Sequence, residues 1–221
     1  MKAFTTIWVA VSLLVMTAFF VIYAQTRPLG VTLWRSVAKC GATFMAVATA
    51  AFGVVLHDRG PRGWLLVLAL ALCCAADFAL ERSFAAGVTG FALAHAVFIA
   101  YILCTARPVW GSLPIGILLF AVCGLLFWRE LHALGGKGAA MLLYPAVLAA
   151  MAALAVALPF TVGPRYWFFA IGAVAFVVSD VFVAKDVLVG APDVERNGAL
   201  LLYYAAVYVM ACTELFAFNS A

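Results

Sequence analysis

The chain has 221 residues, 68% of them hydrophobic and 10% charged, with a formal net charge of +4. Soluble domains are about half apolar and about a quarter charged, so this composition excludes an ordinary globular protein, and so few scattered charges exclude a nucleic-acid-binding surface. Long apolar runs without alternation exclude a β-barrel, leaving an all-α polytopic membrane protein: one bundle over 1–221 with about eight transmembrane helices.

In chain order, the first span is Phe4 to Ala24; its apolar run exceeds that of a signal peptide, and Ile22-Tyr23-Ala24 is a poor cleavage site. Pro28 and Gly30 turn the chain into a second span, Thr32 to Leu56, with Arg35 near its start and Lys39 deeper. His57 to Gly63 reads as a loop. The third span, Trp64 to Glu81, carries Asp77 and Glu81 four residues apart, on one face of a helix. The fourth, Gly87 to Thr105, contains His95. The fifth runs from Gly111 to Trp128, followed by a polar connection, Arg129 to His132 and glycines 135, 136 and 138. The sixth, Ala139 to Leu158, contains Tyr144. The seventh, Tyr166 to Val189, holds Ser179 and Asp180 within the apolar run Ala175 to Val183. A polar loop, Lys185 to Asn197, leads to the eighth, Ala199 to Phe218, with Tyr203, Tyr204, Tyr208 and Glu214.

A carboxyl in lipid is costly, so by default Asp77 and Asp180 face the bundle interior and mark a functional site. At about 1.5 Å per residue, both lie roughly 20 Å from the side where their helices enter and about 10 Å from the other. Counted from that other side, Lys39 falls at roughly 10 Å, Tyr144 near 7 Å, His95 near 16 Å and Tyr203 to Tyr208 between about 6 and 13 Å. Six helices therefore place polar groups in one layer, with Glu214 near the opposite face. The basic residues are nearly balanced: Lys2, Arg59, Arg62, Arg107 and Arg165 on one side, and Arg27, Arg35, Arg82, Arg129, Lys137, Lys185 and Arg196 beside the layer. Membrane orientation is left open.

Plainer readings stand beside these. The aspartates and Lys39 could simply lock helices together, His95 could be a hydrogen-bonded packing residue, and at least one of Tyr203, Tyr204 and Tyr208 fits an interfacial aromatic belt. Arg82, Arg129 and Arg196 fit snorkelling to headgroups. The six cysteines all lie in apolar segments and read as small hydrophobes. A small proton-coupled transporter of a lipid or other solute is the chief functional alternative. A metal hydrolase is a weaker one, because a single embedded histidine and two carboxylates make a sparse ligand set.

Gly172-Ala173-x-x-Phe176-x-x-Ser179-Asp180-x-x-x-Ala184 resembles the signature of the YhhN-like lysoplasmalogenase family. Phe84-x-x-Gly87-x-x-x-Phe91-x-x-x-His95, Ala76-Asp77, Lys39-Cys40, Tyr144 with Met151, and Tyr203-Tyr204 resemble its other motifs in the same order. Phe98 stands where tyrosine is common and Val207 where glutamine is, departures that bear on substrate rather than fold. The resemblance implies hydrolysis of the vinyl ether bond of a lysoplasmalogen to a fatty aldehyde and a glycerophosphoalcohol. The expected location is the bacterial inner membrane, as a multi-pass protein.

A vinyl ether is hydrolysed by protonating its β-carbon, after which water captures the oxocarbenium ion. That division of labour suits two carboxyls, one holding a proton as general acid and the other ionised, and it calls for no cofactor or metal. Asp77 and Asp180 are the candidate catalytic pair, with Lys39 holding one of them ionised or contacting phosphate. His95 and Tyr144 would orient water or headgroup, and Ser179, Tyr203 and Tyr204 are further orienting candidates. The expected partners are the lysophospholipid substrate and the bilayer.

Overall fold

The computed structural model describes residues 2–108, 110–133 and 142–216. Among these the long elements are all helical: α1 (Lys2–Thr26), α2 (Leu33–His57), α3 (Gly60–Leu80), α4 (Phe84–Thr105), α5 (Leu113–Leu126), α6 (Leu143–Thr161), α7 (Trp167–Val189) and α8 (Asp193–Leu215). Seven are long and apolar enough to cross a membrane; α5, with 14 residues, extends about 21 Å and is the short one. The glycines at 135, 136 and 138, Lys137 and the start expected for the sixth span at Ala139 lie outside the described residues.

Helix ends differ from the hydropathy reading for identifiable reasons. α3 begins at Gly60 rather than Trp64, because Pro61 occupies the first turn, where its missing N–H leaves no bond unmade. Only Asp58 and Arg59 remain as a turn, with Asp58 in the left-handed region at φ 46°. The polar stretch from Lys185 to Asn197 is mostly helix as well. Arg196 bonds Asp186 at 2.7 Å, and Lys185 bonds Glu195 at 2.5 Å across the α7–α8 turn. Hydropathy registers depth in the membrane, and a helix that emerges into water remains a helix. Ser83 caps α4 by accepting from the Ala86 N–H at 3.3 Å, and Thr32 caps α2 by accepting from the Arg35 N–H at 3.1 Å.

Six helices close a ring in the order α2, α3, α4, α6, α7, α8 and back to α2. α1 packs outside it, mainly on α2, and α5 packs on α6 with no residue fully buried. The helices to which the sequence assigns an embedded Lys, Asp, His or Tyr of the polar layer are the six of the ring. Close approach within the ring depends on missing side chains: a Cβ on Gly172 of α7 would collide with Met210 and lie 2.7 Å from the Ala206 carbonyl oxygen of α8. Gly87 of α4 similarly admits Leu80 of α3, whose backbone would lie 2.6 Å from an added Cβ. Small residues at helix contacts are the usual means of packing where lipid supplies little hydrophobic drive.

Candidate active site

Two polar clusters occupy the ring. The first is built by α2 and α3, whose residues at four-residue spacing face each other. Lys39 Nζ lies 3.8 Å from Asp77 Oδ1 and 3.3 Å from Glu81 Oε1, while Arg35 Nε lies 2.7 Å from Glu81 Oε2. Thr43, one turn beyond Lys39, donates to Asp77 Oδ2 at 2.5 Å, and Tyr203 of α8 donates to the same oxygen at 2.8 Å. Tyr23 of α1 donates to Glu81 at 3.0 Å. Two cations thus meet two carboxylates, and Asp77 is sealed at 1% exposure with two hydroxyl donors on Oδ2 and the Lys39 ammonium facing Oδ1. Balance of this kind is what makes buried charge tolerable.

The second cluster lies across the ring. Tyr144 of α6 donates its hydroxyl to Asp180 Oδ2 of α7, and His95 Nε2 of α4 lies 3.3 Å from the Tyr144 hydroxyl. Asp180 and Tyr144 are only half-buried, whereas His95 has no exposure, and its Nδ1 has no hydrogen-bond partner among the described residues. Asp180 makes no ion pair among the described residues. The two aspartates thus have unlike surroundings, one among donors and a cation, the other bonded to a phenol.

Phe176 stands between the clusters, edge-on to His95 with centroids 4.7 Å apart and edge-on to Tyr203 at 5.3 Å. Phe91 completes the wall, 5.7 Å from Tyr203 and 6.1 Å from Phe176. Phe176, Phe91 and Gly172 come from the same motifs as the polar residues, as the partition between the carboxyls and the close helix seam beside it.

Of the eight residues singled out in the sequence, Lys39, Asp77 and Tyr203 meet in the first cluster, and His95, Tyr144 and Asp180 in the second. Ser179 instead donates to the Ala199 carbonyl oxygen of α8 at 2.9 Å, and Tyr204 to the Lys39 carbonyl oxygen at 3.2 Å. These two hold helix seams. The aromatic-belt reading is corrected: Tyr203, Tyr204 and Tyr208 are all buried inside the bundle, and Tyr208 bonds Ser12 of α1 at 2.6 Å. Arg82 and Arg196 do not simply snorkel, since Arg82 lies over the Phe78 ring and donates to Ser36, and Arg196 bonds Asp186. Thr43, Glu81, Arg35 and Tyr23 were missed as site members. The spacing 35, 39, 43 against 77, 81 was the available signal, because it sets two polar stripes on neighbouring helices.

Glu214 is remote from both clusters, accepting from Tyr101 at 2.6 Å and lying 3.3 Å from Arg59 Nε. All six cysteines are free, and Cys40 and Cys74 each point their thiol at the other's carbonyl oxygen, at 3.5 and 3.4 Å, across the α2–α3 seam.

The model of the YhhN family matches residues 34–213, from the first turn of α2 to the last turn of α8. The chain belongs to the YhhN family. The match takes in the six-helix ring and both clusters except Tyr23, and leaves α1 outside. No curated protein and no solved structure matches the chain. Within this YhhN protein a crevice of about 290 Å³ opens between the end of α5 and α7, lined by Leu126, Phe127, Val181, Phe182, Lys185 and Val189. It begins at the residue following Asp180. A second crevice, of about 340 Å³, separates α5 from α6 along Gly116, Phe120, Ala146, Ala149 and Ala153.

Proposed function

We propose that the protein is a lysoplasmalogenase-like ether hydrolase that cleaves the vinyl ether bond of a lysoplasmalogen by acid–base chemistry with Asp180 and Asp77. The observation that carries this reading is the unlike setting of the two carboxyls. Asp77 receives hydroxyls from Thr43 and Tyr203 and faces Lys39, an arrangement suited to an ionised carboxylate. Among the described residues Asp180 has no ion-pair partner, and it accepts from Tyr144 on one oxygen, leaving the other to carry a proton.

In this scheme Asp180 protonates the β-carbon of the vinyl ether, the C=C π electrons form the new C–H bond, and the ether oxygen stabilises the resulting oxocarbenium ion. The Asp77 carboxylate offsets the positive charge electrostatically, as the second carboxylate does in glycoside cleavage. Water adds to the cationic carbon, and the hemiacetal collapses to aldehyde and alcohol. Lys39 is committed to Asp77 and Glu81, so of its two expected roles holding a carboxylate ionised is favoured over binding phosphate. The apolar crevices beside α5 suit the alkenyl chain of an amphiphile whose headgroup stays near Lys185 and the helix ends.

The test is aldehyde release by the detergent-purified protein from a lysoplasmalogen, with the saturated alkyl ether as control and EDTA in a parallel reaction. The expected result is release from the vinyl ether alone, unchanged by EDTA, and lost in both Asp77→Asn and Asp180→Asn while each variant stays folded. Normal turnover by the double variant would sink the two-carboxyl scheme.

A further inference from the structure

His95 is enclosed in the ring of helices with no exposure, yet only one of its nitrogens is engaged. Three rings surround it: Phe176 at 4.7 Å, Tyr144 at 5.7 Å and Phe98 at 6.0 Å between centroids. Tyr144 spends its O–H on Asp180, so toward His95 its oxygen is an acceptor and Nε2 carries the hydrogen. In a neutral imidazole that leaves a lone pair on Nδ1, a buried acceptor to which none of the described residues donates. Leaving such a group unmatched is destabilising, so an acceptor kept in this state is suited to a donor that arrives with the reaction.

We infer that His95 is the base that takes a proton from the attacking water at Nδ1 and returns a proton through Tyr144 to Asp180. The inference rests on the vinyl ether reading above and adds to it the route by which the acid is recharged. When Asp180 has given its Oδ1 proton to the β-carbon it is a carboxylate. As water forms its C–O bond to the oxocarbenium carbon, one water proton moves to Nδ1, the Nε2 proton moves to the Tyr144 oxygen, and the Tyr144 proton moves to Asp180 Oδ2. The products of this step are a neutral hemiacetal, a protonated Asp180 and His95 with its hydrogen on Nδ1.

Collapse of the hemiacetal runs the line backwards. Asp180 Oδ1 accepts the hemiacetal hydroxyl proton as the C=O bond forms. Oδ2 returns its proton to Tyr144, Tyr144 returns one to Nε2, and Nδ1–H protonates the departing glycerol oxygen as its C–O bond breaks. One water is consumed, aldehyde and alcohol leave, and Asp180 and His95 end in their starting forms. No oxidant, metal or further acid enters the balance. Carboxyl, phenol and imidazole are in hydrogen-bond sequence with no side chain between them, so each transfer follows an existing contact.

Rapid mixing of the full-length protein in detergent with excess lysoplasmalogen, quenched into base where a vinyl ether is stable, tests the relay. His95→Gln is expected to release aldehyde about 100-fold more slowly from the first turnover, the scale of a lost general base, because both water capture and departure of the glycerol oxygen pass through Nδ1. His95→Ala should be slowed to the same extent and regain rate with added imidazole, whereas Tyr144→Phe should not respond to imidazole because its break lies further along the line. Failure of imidazole to raise the rate of His95→Ala overturns the relay in favour of a packing role, and so does unchanged turnover in His95→Gln. A wild-type protein that releases no aldehyde removes instead the reading beneath it, and that control is run first.

Discussion

The hydroxyl of Thr43 lies 2.5 Å from Oδ2 of Asp77, one helix turn beyond the lysine that faces the other oxygen. Two hydroxyls on one oxygen and an ammonium facing the other orient the carboxylate, and its charge stays where a developing cation can use it. Thr43→Val removes the donor while keeping the branched shape. Turnover of the vinyl ether should fall about 10-fold with little change in KM, the signature of a contact that matters most in the transition state. Steady-state kinetics on the folded variant check this; a change in KM alone would point to substrate binding instead.

Glu81 balances Arg35 and Lys39, at 2.7 and 3.3 Å. Removing one partner of a buried pair leaves uncompensated charge, so Glu81→Gln should cost about 3–5 kcal/mol of stability. Arg35→Gln added to it should recover part of that loss, because the two act through one contact. Thermal unfolding of both singles and the double in one detergent supplies the cycle, and strictly additive losses would contradict the pairing.

Gly172 admits α8 so closely that an added Cβ would strike Met210 and the Ala206 carbonyl oxygen. Gly172→Ala must part the helices that carry Asp180 and Tyr203. The expected cost is about 1–3 kcal/mol from overpacking. A melting temperature equal to wild type would mean that the seam tolerates a methyl group.

At the far end of the bundle, Tyr101 and Arg59 hold a fully buried Glu214, and His57 bonds the Leu215 carbonyl oxygen at 2.9 Å. Burial and the neighbouring Arg165 lower Arg59 from the usual guanidinium range, yet a guanidinium remains charged and needs a counterion. Glu214→Gln should lower stability by about 3 kcal/mol while leaving aldehyde release per folded molecule within about twofold of wild type. Activity lost in proportion to Asp180→Asn would tie this end to the chemistry and overturn the separation of Glu214 from the two clusters.

By itself the sequence determined the class, an all-α polytopic bundle, and set the expectation of about eight spans with the polar groups at one depth. Apolar content decides whether a segment enters lipid, and a fixed rise per residue converts position into depth. That arithmetic put Lys39, Asp77, His95, Tyr144, Asp180 and Tyr203 in one layer, and the motifs around them led to the YhhN family. Depth carries no azimuth, however, and which way each helix turns within the ring follows from contacts between segments far apart in sequence. Only the tertiary structure therefore parted the layer into two clusters, gave Glu81 and Thr43 their places beside Asp77, and turned Ser179 and Tyr204 to helix seams. The order of helices around the ring likewise set Phe176 between the carboxyls and Tyr144 between His95 and Asp180, because those neighbours are chosen by packing across the bundle rather than by spacing along any one helix.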